Sequence, residues 1–282
     1  MPVPEPHASE RDRHLNAPGR KRILALDGGG VRGILSLAYL ERVETFLRAR
    51  HGPDYRICDW FDLIGGTSTG SIIATGLALG MDTAALIRLY TDLSAQGFTG
   101  SRWHGGVFVP KFKAKPLMDA VRGQLGDVTL GSDRLKTGLA IVTKRIDTGS
   151  VWVFHNNPRG PYFGGDDAEA QYTPNRHLPL VELIRASTAA PTFFAPERID
   201  VAKGVSGLFV DGGVSPHNNP ALLLFMLAAI NGYGFRWPTG HDNIALMSLG
   251  TGHQPMNAHA VGGAVETQRP AGHPGIALGH RG

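Results

Sequence analysis

Short apolar runs bounded by glycine-rich turns alternate with longer stretches of helical spacing along most of the chain. Ile23-Leu24-Ala25-Leu26 is uninterrupted and apolar, which predicts a buried strand. After the glycines that follow it, Ile34, Leu35, Leu37, Ala38, Leu40, Val43, Phe46 and Leu47 recur at the spacing of one helix. The same pattern predicts strands at 22–26, 60–65, 137–143, 150–155, 207–210 and 243–249. It predicts helices at 34–49, 71–79, 82–94, 116–125, 178–187 and 219–231. Strands alternating with helices specify an α/β protein with a mostly parallel central sheet covered on both faces. The pair 137–143 and 150–155, joined through Arg145-Ile146-Asp147-Thr148-Gly149, reads instead as a hairpin. The longest strongly apolar stretch, Ala221–Ile230, is too short to span a bilayer. It reads as a buried helix entered through Asn218-Asn219-Pro220, where asparagine caps and proline fills the first turn.

A chain of 282 residues with 42% hydrophobic and 18% charged residues can bury one good-sized α/β core. The expected organisation is a polar N-terminal extension over 1–21, a single α/β domain over 22–252 and a tail over 253–282. That tail is rich in Gly, Pro, His and Ala, has no periodicity and reads as disordered. The net charge of +4 suits contact with an anionic lipid surface, and equally a weak nucleic-acid contact. No run has the charge density of a nucleic-acid arm, so no nucleic-acid partner is expected. Lys111-Phe112-Lys113-Ala114-Lys115, shortly after Arg102-Trp103, is the best basic–aromatic patch for a membrane surface; a solvated loop leading into the helix Pro116–Leu125 is the plainer reading. The Gly-, Pro- and Asn-rich stretches 97–114 and 156–177 read as loops that border a ligand site. The single cysteine, Cys58, excludes an internal disulfide, suits a reducing compartment and reads as a small buried residue. No His/Cys cluster has zinc spacing, and neither a metal nor a cofactor is expected. Met1 to Arg22 has no apolar core of a signal peptide, so a cytoplasmic protein with peripheral membrane contact is expected.

Two segments carry the chemistry. Gly66-Thr67-Ser68-Thr69-Gly70 joins the apolar run Trp60–Ile64 to Ser71-Ile72-Ile73-Ala74. A Gly-x-Ser-x-Gly sequence between strand and helix is a nucleophile elbow, with Ser68 on the sharp turn and Gly66 and Gly70 allowing close approach. Upstream, Asp27-Gly28-Gly29-Gly30-Val31-Arg32-Gly33 leads from a strand into a helix and presents backbone amides to an anion. That anion is either a dinucleotide pyrophosphate or the oxyanion formed when a serine attacks an ester. Gly28, Gly30 and Gly33 satisfy the dinucleotide spacing, but Asp54, which falls near the required distance, lies in a turn rather than at a strand end. The oxyanion reading gains from Ser68 on the next strand. Asp27 either holds the loop or faces solvent. Asp211-Gly212-Gly213 follows the apolar strand Leu208-Phe209-Val210 and by itself reads as a plain turn after a strand; only beside the other blocks does it read as a base, whose pKa burial would raise. Twelve histidines compete for that role; His217, His241, His253 and His259 follow Asp211 and are not excluded by chain order. His155 reads as structural.

With Ala186-Ser187-Thr188-Ala189-Ala190-Pro191, these blocks resemble the patatin-like phospholipases in kind and in order, from about residue 23 to 250. The resemblance implies a three-layer α/β sandwich and hydrolysis of lipid acyl esters by a Ser–Asp dyad. Ser68 would be the nucleophile, Asp211 the general base, and the amides of Gly28, Gly29 and Gly30 the oxyanion hole. Arg32, Gly33, Gly66, Gly70, Gly212 and Gly213 would support them; read from the residues alone, Arg32 either points to solvent or helps position the oxyanion loop. Family members usually continue with further helices after the strand at 243–249, and Gln254 to Gly282 departs from that pattern. This departure keeps a catalytically idle lipid-binding or regulatory relative as the alternative. A dinucleotide-dependent enzyme is a third reading, resting on Gly28, Gly30 and Gly33 alone.

Overall fold

The computed structural model describes residues 9–97, 115–165 and 171–252. In chain order the helices are α1 (Glu10–Asn16), α2 (Gly33–His51), α3 (Ile57–Trp60), α4 (Thr69–Ala78), α5 (Thr83–Gly97), α6 (Lys115–Leu125), α7 (Leu180–Ser187) and α8 (Ala221–Ala229). The strands are β1 (Lys21–Leu26), β2 (Leu63–Thr67), β3 (Gly138–Arg145), β4 (Val151–His155), β5 (Glu197–Ala202), β6 (Val205–Asp211) and β7 (Ile244–Leu249). They form a seven-stranded sheet in the order β5-β6-β3-β2-β1-β7, with β4 also paired to β3.

Alternation along the central strands sorts side chains into two cores. Leu24 and Leu26 of β1, Ile64 of β2 and Leu139 and Ile141 of β3 face one core, packed by α2, α4, α5, α6 and α7. Ile23 and Ala25, Leu63 and Ala140 face the other, closed by Leu15, Leu224, Leu227, Phe235 and Trp237. The architecture is therefore a three-layer α/β sandwich. Its sheet is parallel across β7, β1, β2 and β3 and antiparallel beyond. The antiparallel share exceeds what the alternation of elements implies, because β5 was not expected.

One register positions the site. Thr67, the last residue of β2, lies opposite Val142, and Asp211, the last residue of β6, lies opposite Thr143. The antiparallel partner β4 covers Ala140 to Lys144 and so occupies the other edge of β3. β2 and β6 therefore succeed one another along a single edge of β3, and their ends meet.

Two expectations are corrected. The strand expected at 60–65 begins at Leu63, because Ile57–Trp60 forms a helical turn whose Asp59 carboxylate accepts the Arg56 N–H at 2.7 Å. Residues 10–16 are not a polar extension: α1 buries Leu15 and Arg11. The Leu15 carbonyl there accepts the Trp237 indole N–H at 3.0 Å. The entry into α8 through Asn218-Asn219-Pro220 is as expected, with Asn219 Oδ1 accepting the Ala221 N–H at 2.9 Å. The described residues up to Thr251 belong to one compact unit. The tail expected at 253–282 and most of the loop expected at 97–114, including Lys111–Ala114 of the basic patch, lie outside the described residues.

Candidate active site

Ser68 stands between β2 and α4 with φ 54° and ψ −126°, a left-handed backbone rarely adopted by a residue other than glycine. Non-glycine residues hold such a conformation only when their surroundings enforce it. Here α4 is buried over its whole length and pressed onto the sheet. A Cβ added at Gly66 would strike the Gly70 carbonyl, and one at Gly70 would strike the Leu26 carbonyl. The spacing of the two glycines is thus a packing requirement of the turn.

The structure brings Ser68 and Asp211 together. Ser68 Oγ donates to Asp211 Oδ2 at 2.6 Å, and the Gly213 N–H donates to Oδ1 at 2.7 Å. Asp211 is only 6% exposed, and burial raises its pKa above the usual carboxylate range, opposed by those two hydrogen bonds. Such a carboxylate is a better proton acceptor than a solvated one. Gly212 lies where a Cβ would come within 2.7 Å of the Val142 carbonyl, so the chain after Asp211 can cross the end of β3 only without a side chain.

The Ala186–Pro191 block fixes both partners. The Ser68 N–H donates to Ser187 Oγ at 2.9 Å, and the same hydroxyl donates to the Val142 carbonyl at 2.7 Å. The Asp211 N–H donates to the Ala189 carbonyl at 3.1 Å. Sequence reasoning found this block but assigned Ser187 no role.

The glycine loop abuts the elbow: a Cβ on Gly28 would stand 3.1 Å from Ser68 Cβ. The three amides are not equivalent. The Gly28 N–H is already given to the Asn218 carbonyl at 3.1 Å, so Gly28 is removed from the expected set of free donors. The Gly29 N–H makes only a long bond, 3.3 Å, to Thr69 Oγ1. Gly30, in the left-handed region at φ 57°, has no hydrogen-bond partner for its N–H among the described residues. Gly29 and Gly30 are the amides that remain open to an anion.

Arg32 is also corrected. Its side chain is exposed and makes no hydrogen bond or ion pair among the described residues; only its N–H contributes, to the Gly29 carbonyl at 3.2 Å. The side chains that hold the loop are others. Tyr90 of α5, buried beneath it, donates its hydroxyl to the Gly30 carbonyl and lies against Gly33. Thr251 and Asn218 both bond the Gly28 carbonyl. No sequence pattern pointed to Tyr90 or Thr251; Asn218 stood out only as a helix cap.

Asp27 is half-buried, its Oδ1 lacks a hydrogen-bond partner, and burial pushes its pKa up to about 6, with Asn219 opposing. It does not simply face solvent. Asp54 is exposed in the turn after α2, away from any strand end. No histidine side chain among the described residues bonds Ser68 or Asp211. His155 is buried with its pKa pushed down to about 4, which keeps it neutral, and His241 is exposed beside Asp242. His253 and His259 lie outside the described residues. Burial pushes the Cys58 thiol up to about 12, leaving no thiolate for nucleophilic chemistry. No helix among the described residues is long and apolar enough to cross a membrane.

The sheet, the strained elbow and the glycine loop place the chain among α/β proteins built around a serine turn. More narrowly, it belongs to the patatin-like phospholipases, the family whose description matches residues 24–225. It is 30% identical over 238 residues to a cGAMP-activated phospholipase of Escherichia coli (strain TW11681), covering 82% of this chain and 62% of that protein. It is 32% identical over 220 residues to patatin-like protein 2 of Oryza sativa subsp. indica, covering 71% and 51%. To patatin-T5 of Solanum tuberosum it is 28% identical over 247 residues, covering 82% and 60%. The chain thus spans between 51% and 62% of the length of these relatives.

Proposed function

We propose that this chain is a lipid acyl hydrolase that cleaves carboxylic esters through an acyl-enzyme on Ser68. The observation that carries the reading is the 2.6 Å hydrogen bond from Ser68 Oγ to a buried carboxylate at a strained elbow. Asp211 takes the Ser68 proton as Oγ attacks the ester carbon. The carbonyl oxygen becomes an oxyanion beside the Gly29 and Gly30 amides. Collapse of the tetrahedral intermediate breaks the ester bond, and the departing alcohol leaves with the proton held by Asp211. Water then attacks the acyl-serine, giving its proton to Asp211, and the carboxylic acid departs as Ser68 regains that proton. A buried aspartate can serve as the base because desolvation has already narrowed the gap between its pKa and neutrality.

An acyl-lipid substrate agrees with the family and with the surface around the site. Val31 and Ile34 beyond the glycine loop, Phe193 beyond the Ala186–Pro191 block and Val214 beyond Asp211 are all exposed, at 39–48%. Apolar side chains on the loops that carry the chemistry suit approach to a lipid surface. The test is labelling with a fluorophosphonate followed by product analysis on a mixed lipid extract. Labelling at Ser68 with release of fatty acids is expected. An unlabelled, folded protein would instead leave the idle relative.

A further inference from the structure

Hydrogen bonds from two distant segments converge on one carbonyl of the glycine loop. The Gly28 oxygen accepts Thr251 Oγ1 at 2.9 Å and Asn218 Nδ2 at 3.2 Å. In a trans peptide the C=O and the N–H point to opposite sides of a rigid plane. Holding the Gly28 oxygen therefore aims the Gly29 N–H the other way, and on that side lies Thr69, the neighbour of Ser68. A run of three glycines has no side chain to choose between alternative peptide orientations. The choice must come from outside the loop.

We propose that Thr251 and Asn218 are positioning residues of the oxyanion hole, gripping the Gly28 carbonyl so that the Gly29 N–H faces the reacting centre. This rests on the serine-hydrolase reading above. The long Gly29–Thr69 bond is one that a developing oxyanion can displace. Asn218 also accepts the Gly28 N–H on its own carbonyl, so one residue engages both polar edges of Gly28. It lies on the loop that descends from Asp211, and the neighbouring His217 carbonyl accepts Thr67 Oγ1 at 2.8 Å. Base, elbow and oxyanion donor are thereby tied into one unit. Thr251 is 3% exposed, with its side chain packed directly on Gly29, so its hydroxyl has little freedom to turn away.

The experiment compares Thr251→Val, Thr251→Ser and Asn218→Asp with wild type on a short-chain nitrophenyl ester. Fluorophosphonate labelling rates and melting temperatures are measured in parallel. Removing one gripping bond is expected to lower kcat about five- to tenfold in Thr251→Val and Asn218→Asp, with KM within about twofold and labelling slowed to match. Thr251→Ser restores the hydroxyl and is expected to recover most of the rate. An unchanged kcat in Thr251→Val, a loss confined to KM, or a serine variant as slow as the valine variant would overturn the proposal. Should wild type itself fail to label at Ser68, the hydrolase reading falls and this inference with it. Normal labelling of wild type and of Thr251→Val alike removes the inference alone.

Discussion

Ser68 and Asp211 meet because β3 carries two strands in succession on one edge: β2 reaches Val142 and β6 begins at Thr143. The separation of Ser68 and Asp211 is therefore set by backbone register, not by the reach of side chains. A strand register cannot slip by one residue without turning every side chain to the other face, so the pairing is as secure as the core around it.

Because the register holds Ser68 independently of its hydroxyl, Ser68→Ala should abolish turnover of a short-chain nitrophenyl ester while leaving the circular dichroism spectrum and cooperative melting unchanged. Residual activity within a few-fold of wild type would remove the serine mechanism.

Asp211→Asn should be nearly as damaging to kcat, and the double variant no worse than either single one, because in the proposed mechanism the two groups act as a unit. Its stability should move the opposite way. Burial raises the folded-state pKa of Asp211 above the ordinary value of 3.8. The wild-type protein therefore loses stability as pH climbs from the ordinary value through the raised one, where a charge must be buried. Neutral asparagine avoids that loss. Melting curves should show Asp211→Asn gaining on wild type at neutral pH and the gain vanishing below about pH 4. For the same reason the acid limb of kcat/KM in wild type should lie above the usual carboxylate range.

Gly29→Ala should lower kcat with little change in KM, because the new methyl group meets Thr251 and must tilt the amide that the proposed mechanism aims at transition-state charge. Loss of one oxyanion donor costs up to about 3–4 kcal/mol in the barrier. Steady-state kinetics decide it; an unchanged kcat would move the oxyanion hole elsewhere.

Much of this was legible in sequence because strongly patterned residues dominate the centre of the molecule. Leu24, Leu26, Ile64 and the helical stripe of α2 declare their elements without help. The antiparallel strand β5 was missed because among its six residues only Ile199 is buried, so no alternation is visible. Helix α1 was missed for the same reason, with Leu15 its one buried apolar side chain. In the site, the elbow and the Asp-Gly-Gly turn are local patterns. The roles of Ser187, Asn218 and Thr251 depend on partners 119, 190 and 223 residues away, which spacing cannot reveal.

The N-terminal helix gives a direct test of the corrected boundary. Leu15→Ala should cost about 2–3 kcal/mol, at the lower end for a buried leucine because the helix is short and can relax. Urea titration followed by the fluorescence of Trp237, whose indole bonds the Leu15 carbonyl, would register it. No change in midpoint would return residues 10–16 to the status of an appended segment.

Ser187 offers the last prediction. Its hydroxyl is fully buried and sits between the Ser68 N–H and the Val142 carbonyl, with no other route for either group to be satisfied by that side chain. Ser187→Ala therefore strands a donor at the elbow and an acceptor at the end of β3. Leaving a buried polar group unpaired costs about 1–3 kcal/mol, so a lower melting temperature is expected. Activity should suffer too, since the Ser68 amide is one of the restraints that hold its backbone at a positive φ. If the elbow relaxes, Oγ moves away from Asp211, and kcat falls while the affinity for a short ester stays the same. Ser187→Thr, which keeps the hydroxyl but must fit a methyl into a closed space, should retain the amide bond and lose mainly stability. The contrast between the two variants separates the hydrogen bond from the packing. Equal kcat in wild type and Ser187→Ala would mean that the packing of α4 alone holds the nucleophile in place.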